Sequence, residues 1–175
     1  MTKKPEHLTA LYGEVLVCKG HPRILFRGKL DSLQAQVVLI QCDALILGVD
    51  DRLLMDLDEI LAFLREMMRS EVLGLPFERD SILGLSFEQI REQSHNPAQF
   101  FGVEAMVLPD YRLGRVYALL NCLRTAVRET EVSAATAFGE REDVTRPDIL
   151  RGLNRLSSVV YVLMCREISG KGKRP

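Results

Sequence analysis

Between Gly114 and Gly139 the chain carries neither proline nor glycine, and its apolar residues keep helical spacing throughout. Val116, Leu120, Leu123 and Val127 recur at four, three and four, which is one stripe of an α-helix rather than the alternation of a strand. A helix of this length with one apolar stripe has to bury it against other elements, so the chain is constrained to pack around this segment. Arg124, Arg128 and Glu131 recur at four and three on a second stripe, about a quarter turn away at roughly 100° per residue. Around them Ala118, Cys122, Thr125 and Ala126 are small and uncharged. The spacing therefore predicts a helix with no proper solvent face between Val116 and Val127, with Arg124 as the only charge in that span.

A guanidinium on a nearly buried helix needs a partner, because an unpaired buried charge costs several kcal/mol. Arg124 and Arg128, one turn apart, repel each other. They require Glu131, carboxylates from other helices, or an anionic ligand. Two readings stand on these residues alone. One is a structural ion-pair network inside a bundle; the other is a clamp for a polyphosphate, since arginine offers planar, bidentate donors to phosphate oxygens.

The remaining elements follow the same helical period. From Gly28, Leu30, Leu33, Val37, Ile40 and Ala44 form one face that ends near Gly48, with Asp31 read as a first-turn carboxylate favoured by the helix macrodipole. After Asp50–Asp51, Leu53, Leu57, Ile60, Leu64, Met67 and Val72 form a second, stopped by Gly74 and Pro76. Ser86 and Gln89 make a capping box for a short helix ended by Asn96-Pro97. Thr145 is read as the N-cap of the last helix, with Pro147 in its first turn and Ile149, Leu153, Leu156, Val160 and Leu163 on its core face. The stretch before Phe26 is punctuated by Pro5, Gly13, Gly20 and Pro22 and reads as irregular or extended; Glu14–Cys18 suits a short strand, but no partner strand is evident. Four long amphipathic helices plus a short one imply an all-α, up-and-down bundle. The expected organisation is a single domain: an N-terminal arm over 1–27, the bundle over 28–170, and a disordered basic tail over 171–175.

Composition narrows the function. A net charge of -1 over 175 residues gives no basic footprint for nucleic acid. The four cysteines are far apart, without CxxC, and read as reduced thiols of a cytoplasmic protein. No apolar run approaches the ~20 residues that span a bilayer. The three histidines are scattered, and no metal site is expected from them.

Three blocks, in this order and on these helices, carry a resemblance: GEVLVCKGHPRILFRGKLDSL at the start of the first bundle helix, RTAVRETE with its Arg-x-x-x-Arg-x-x-Glu, and LNRLSS on the last helix. Together they resemble the ATP:cob(I)alamin adenosyltransferases, and look closest to the ethanolamine-utilisation branch. The resemblance implies a homotrimer of five-helix bundles with active sites between subunits. Arg128, Glu131 and Asn154 would bind ATP, with Lys19 and the arm residues Thr2, Lys3, Lys4 and Thr9. Arg124 would pair with Asp31 across the subunit boundary beside the cobalamin. Met106 stands where the family often has an aromatic, and would exclude the lower axial ligand by bulk.

The implied reaction is attack of cob(I)alamin on C5′ of ATP with loss of triphosphate. Alignment of the two reactants and neutralisation of the leaving charge by arginine, lysine and Mg²⁺ would be the enzyme's main contributions. This chain also departs from the family pattern. TKKPEHLT replaces a glycine-bearing phosphate loop, Ser158 stands for an aspartate, and Glu129 for a second arginine. The branch's upstream His and Cys metal cluster has no counterpart in this sequence. The competing expectations are a non-catalytic corrinoid-binding bundle that has lost ATP chemistry, and a structural helical-bundle protein that binds neither ligand.

Overall fold

The structure is a computed structural model that describes residues 5–104, 107–140 and 143–171. Four long helices, α1 (Pro22–Ile46), α2 (Asp51–Leu73), α5 (Arg115–Phe138) and α6 (Pro147–Lys171), form the bundle. Two shorter helices, α3 (Phe87–His95) and α4 (Pro97–Phe101), lie between α2 and α5, followed by a single 3₁₀ turn at Tyr111–Leu113. Among the described residues there are also three small antiparallel hairpins: β1 (Leu8–Tyr12) with β2 (Val15–Cys18), β3 (Ser81–Ile82) with β4 (Leu85–Ser86), and β5 (Gly139–Glu140) with β6 (Asp143–Val144).

The apolar stripes meet in one core. Leu30, Leu33, Val37 and Ile40 of α1, Leu57, Ile60, Leu64 and Met67 of α2, Leu120, Leu123 and Val127 of α5, and the five predicted positions of α6 are all buried. At the stripe ends Val72 is exposed, and Leu53 and Val116 only half-buried. Polar pairs fix neighbouring long helices as antiparallel. Lys29 meets Glu129 at 3.1 Å and Asp43 meets Arg115 at 3.0 Å, between α1 and α5. Asn154 of α6 donates to Glu131 of α5 at 2.9 Å. At Gly152 α6 lies close against the core beneath it: a Cβ there would stand 2.8 Å from the Phe77 ring and 2.9 Å from the Met67 methyl. Phe77 in turn packs edge-on against Phe63, 4.9 Å between centroids.

Four local expectations change. The first helix begins at Pro22, not Gly28, because the His21 side chain accepts from Arg23 N–H as the N-cap and Pro22 takes the first helical position. Gly28 is thus an interior glycine, and Asp31 lies well past the first turn, so the macrodipole no longer accounts for it. The strand at Val15–Cys18 does have a partner: Leu8–Tyr12 folds back on it through Gly13 at φ +50°, where glycine is at ease. Thr145 does not cap α6; its hydroxyl donates to the Phe138 carbonyl. Finally, Ala118, Cys122 and Thr125 are exposed, so α5 does present an open face, made of small uncharged residues.

The ion pair that the burial argument demands is found elsewhere than on α5. Glu71, in the last turn of α2, is wholly buried and accepts from Arg23 Nε at 2.7 Å and from Arg27 Nε. Arg23 also donates to the Glu71 carbonyl at 3.2 Å and lies 5.7 Å from the ring centroids of Tyr12 and Phe138. A second network pins the segment after α2 to the start of α6. Arg146 binds Asp148 at 2.8 Å, the Ser70 hydroxyl at 2.8 Å and the Leu75 carbonyl at 3.0 Å, while Asp148 accepts the Phe77 N–H at 2.8 Å.

Two outcomes follow. Glu71→Ala strands two largely buried guanidiniums and is expected to cost roughly 3–5 kcal/mol in urea unfolding, against a change below about 1 kcal/mol if the cluster were solvated. For Asp148, burial pushes the carboxyl up, but the Arg146 guanidinium and the Phe77 and Ile149 N–H groups outweigh it and hold the carboxyl below its ordinary value. A depressed folded pKa contributes stability that is present above the unfolded carboxylate value, near 4, and lost as pH falls through the folded one. The stability gap between wild type and Asp148→Asn should therefore be widest at neutral pH and narrow on acidification below about 4. A gap that widens in acid would contradict this assignment.

Candidate functional site

The polar stripe of α5 is longer than its two arginines. Tyr117, Asn121, Arg124, Arg128 and Glu131 recur at four, three, four and three and follow one edge of the helix. On α6, Asn154, Ser157, Ser158 and Tyr161 stand at three-, four- and seven-residue offsets and make a matching stripe. Burial of the apolar stripes turns these two edges toward a common groove. The C-terminal end of α3 and the segment Val107–Pro109 complete its walls.

Two cavities lie along the groove. The larger, about 400 Å³, is bounded by Val107, Leu108, Pro109 and Pro97, by Tyr117, Asn121 and Arg124 of α5, and by Tyr161 and Met164 of α6. Ser94 and His95 also reach it. The smaller, about 200 Å³, is bounded by Arg124 and Arg128, by Ser157, Ser158 and Tyr161, and by Ser94 and His95. The two share Ser94, His95, Arg124 and Tyr161 as a common wall. Among the described residues no carboxylate lines either cavity. One compartment is thus largely apolar with an amide and a guanidinium, and its neighbour is built of cations and hydroxyls. Such a pair suits a ligand, or two ligands, with a flat apolar part and an anionic part.

The individual groups fit that division. Arg124 is half-buried, and its Nε and Nη2 donate to Asn121 Oδ1 at 3.2 and 3.0 Å, so it is held in place by a neutral group. Arg128 is exposed toward the smaller cavity. Glu131 is tied to Asn154 one turn further along. Tyr117 is 2 % exposed, and burial pushes its phenol up, so it is un-ionised at neutral pH. Behind Tyr161, burial raises the Cys165 thiol, with the Tyr161 hydroxyl hydrogen bond opposing.

Of the sequence candidates, Arg124, Arg128, Glu131 and Asn154 are brought together along the α5–α6 groove. Thr9 is half-buried in the β1–β2 hairpin opposite Val17, and Lys19 is exposed just beyond β2 with its N–H donating to the His7 carbonyl; neither lines the cavities. Asp31 is exposed on α1, and among the described residues neither Asp31 nor Arg124 makes an ion pair. Thr2, Lys3, Lys4 and Met106 lie outside the described residues. Sequence reasoning missed Tyr117 and Asn121, although the four-and-three spacing that picked out the arginines runs through both, and it missed Tyr161, which continues the Asn154–Ser157 spacing on α6. It also missed Ser94 and His95, which a short, polar helix end gave no reason to select.

Comparison with known proteins places this geometry. Over 170 residues, 97 % of the chain, it is 42 % identical to the corrinoid adenosyltransferase EutT of Escherichia coli K12 and 39 % identical to that of Salmonella typhimurium. The chain spans 61 % of the length of these relatives. Its fold matches two variants of a PduO-type ATP:corrinoid adenosyltransferase from Lactobacillus reuteri, each complexed with cobalamin and ATP. TM-scores are 0.71 and 0.68, identities 20 and 21 %, and the matches cover 97 % of this chain and 92 and 90 % of those. Residues 1–167 match the family model described as cobalamin adenosyltransferase. By the extent of that match and the identity to its relatives, the chain belongs to the cobalamin adenosyltransferase family.

Proposed function

We propose that this chain transfers the 5′-deoxyadenosyl group of ATP to cob(I)alamin, forming adenosylcobalamin and releasing triphosphate. The observation that carries the reading is the pair of adjoining cavities, one largely apolar and one lined by arginine, histidine and serine without a carboxylate. A reaction that joins a planar apolar macrocycle to a polyanion needs these two surfaces side by side. The relatives' name, corrinoid adenosyltransferase, and the ATP and cobalamin held by the fold's solved neighbours support the same assignment.

The chemistry divides between the compartments. The cobalt electron pair attacks C5′, a cobalt–carbon bond forms, and the C5′–oxygen bond breaks with its electrons leaving on triphosphate. No side chain has to act as a nucleophile. The chain's tasks are to hold the two reactants in line and to neutralise the charge that gathers on the leaving group. Arg128 faces the smaller cavity and is the residue we assign to the polyphosphate, with Glu131 and Asn154 beside it. Arg124, held by Asn121 on the wall between cavities, faces both reactants. Leu108, 80 % exposed at the larger cavity, and Met164 offer apolar surface where a polar axial ligand would be poorly solvated. Lys19 and the arm residues Thr2, Lys3, Lys4 and Thr9 are assigned to ATP, and Met106 to the corrin side, on the resemblance.

Mg²⁺ belongs with the polyphosphate. Among the described residues no cluster of three or more His, Cys, Asp or Glu side chains could hold a metal by itself. The donor set therefore fits Mg²⁺ as an ion carried largely by phosphate oxygens and water, with Glu131 as the nearby carboxylate. When bound, it would share in neutralising the leaving triphosphate.

The working unit we infer is a homotrimer with sites between subunits. On α1, Leu39 and Leu45 are 61 % and 66 % exposed, and beside them α5 presents Ala118, Cys122, Thr125 and Val132, all exposed. A second copy covering this face would also give Arg124 and Asp31 each other as partners. No helix among the described residues is long and apolar enough to cross a membrane, and we assign the chain to the cytoplasm.

The test is anaerobic turnover of chemically reduced cobalamin with ATP and Mg²⁺, followed by loss of the cob(I)alamin spectrum and formation of light-sensitive adenosylcobalamin. Arg128→Ala is expected to lower kcat/KM by roughly 10²–10³-fold. Its stability should stay within about 1 kcal/mol of wild type, because the side chain is exposed. A folded wild-type chain that forms no product would favour the non-catalytic corrinoid-binding reading, and wild-type turnover by Arg128→Ala would remove the clamp.

A further inference from the structure

The wall between the two cavities contains an imidazole that the reaction described above leaves without a task. His95 is the last residue of α3, exposed, and lines both compartments. It is not needed to finish its helix, because the Asn96 N–H and side-chain amide both donate to the Glu92 carbonyl, at 3.1 and 2.9 Å. Among the described residues its imidazole makes no hydrogen bond or ion pair.

The neighbouring groups indicate what it meets. The smaller cavity brings Arg124, Arg128, Ser157, Ser158 and Ser94 around His95. All are donors or hydroxyls, and an imidazole always offers at least one N–H. An ATP triphosphate carries close to four negative charges, and Arg124 already gives two donors to Asn121. The polyanion therefore needs donors beyond Arg128, and the C-terminal end of α3, which lines the same cavity, is placed to supply them.

We propose that His95 is a further polyphosphate-binding residue, donating to the phosphate chain in the cavity it shares with Arg128. This rests on the adenosyl-transfer reading of the same groove. It adds a third helix to the site, so that the leaving triphosphate is held between α3, α5 and α6 rather than by α5 and α6 alone.

The probe is inorganic triphosphate, titrated calorimetrically into wild type, His95→Ala and His95→Gln, with cobalamin affinity and turnover measured on the same preparations. His95→Ala is expected to weaken triphosphate binding by roughly tenfold, the effect of one hydrogen bond to a charged group. It should raise the KM for ATP, while His95→Gln, which keeps an N–H donor, recovers part of the loss. Cobalamin affinity should not move. Unchanged triphosphate affinity in His95→Ala, or a loss confined to cobalamin, overturns the assignment while leaving the adenosyl-transfer reading intact wherever wild type turns over. A wild type that binds triphosphate in a His95-dependent way yet forms no adenosylcobalamin supports the subsite and removes the reaction.

Discussion

The rotation of α5 about its own axis is the constraint on which the site depends. Leu120, Leu123, Val127 and Ala134 are fully buried, and a helix packed along that stripe cannot turn without opening the core. Fixing the rotation aims Tyr117, Asn121, Arg124, Arg128 and Glu131 along the seam with α6. The same logic orients α6, whose buried Leu153, Leu156 and Val160 turn Asn154, Ser157 and Tyr161 to the other side of that seam. Site geometry is thus set by apolar burial far more than by the polar contacts within it.

The two charge systems of the bundle have opposite designs. Glu71 is buried and paired with the half-buried Arg23 and Arg27, and the three join α1 to the end of α2. Arg124 is held by an amide and Arg128 faces a cavity, and among the described residues no carboxylate lines that cavity. A buried arginine must carry its counter-ion with it. An arginine at an open groove keeps its charge solvated until a ligand arrives, and can then exchange water for phosphate. Asp31 is exposed and makes no ion pair among the described residues.

Much of the fold was legible because the apolar periods are long: the core faces of α1, α5 and α6 and the capping box of α3 follow directly from spacing. The failures are local and physical. Pro22 was read as a loop signal, although a proline is equally at home in the first position of a helix. That shift moved Asp31 out of a first turn and left its role to be sought outside its own helix. Glu71 escaped notice because a single glutamate in a charged helix looks solvated, and its burial is set by which helices happen to meet there. Gly139 and Thr145 belong to a small hairpin that interrupts any simple capping pattern before α6.

At the site, the central arginines and Glu131–Asn154 were visible as stripes, and the cavities were not. A cavity needs the relative placement of α3, α5, α6 and the segment before the 3₁₀ turn, which no single period encodes. The crystal structure of the chain bound to ATP and cobalamin tests the account most directly. It should place the polyphosphate within hydrogen-bonding distance of Arg128, and the corrin against Tyr117, Tyr161 and Leu108, with the reacting C5′ at their common wall. Either ligand seated away from the α5–α6 groove would contradict it.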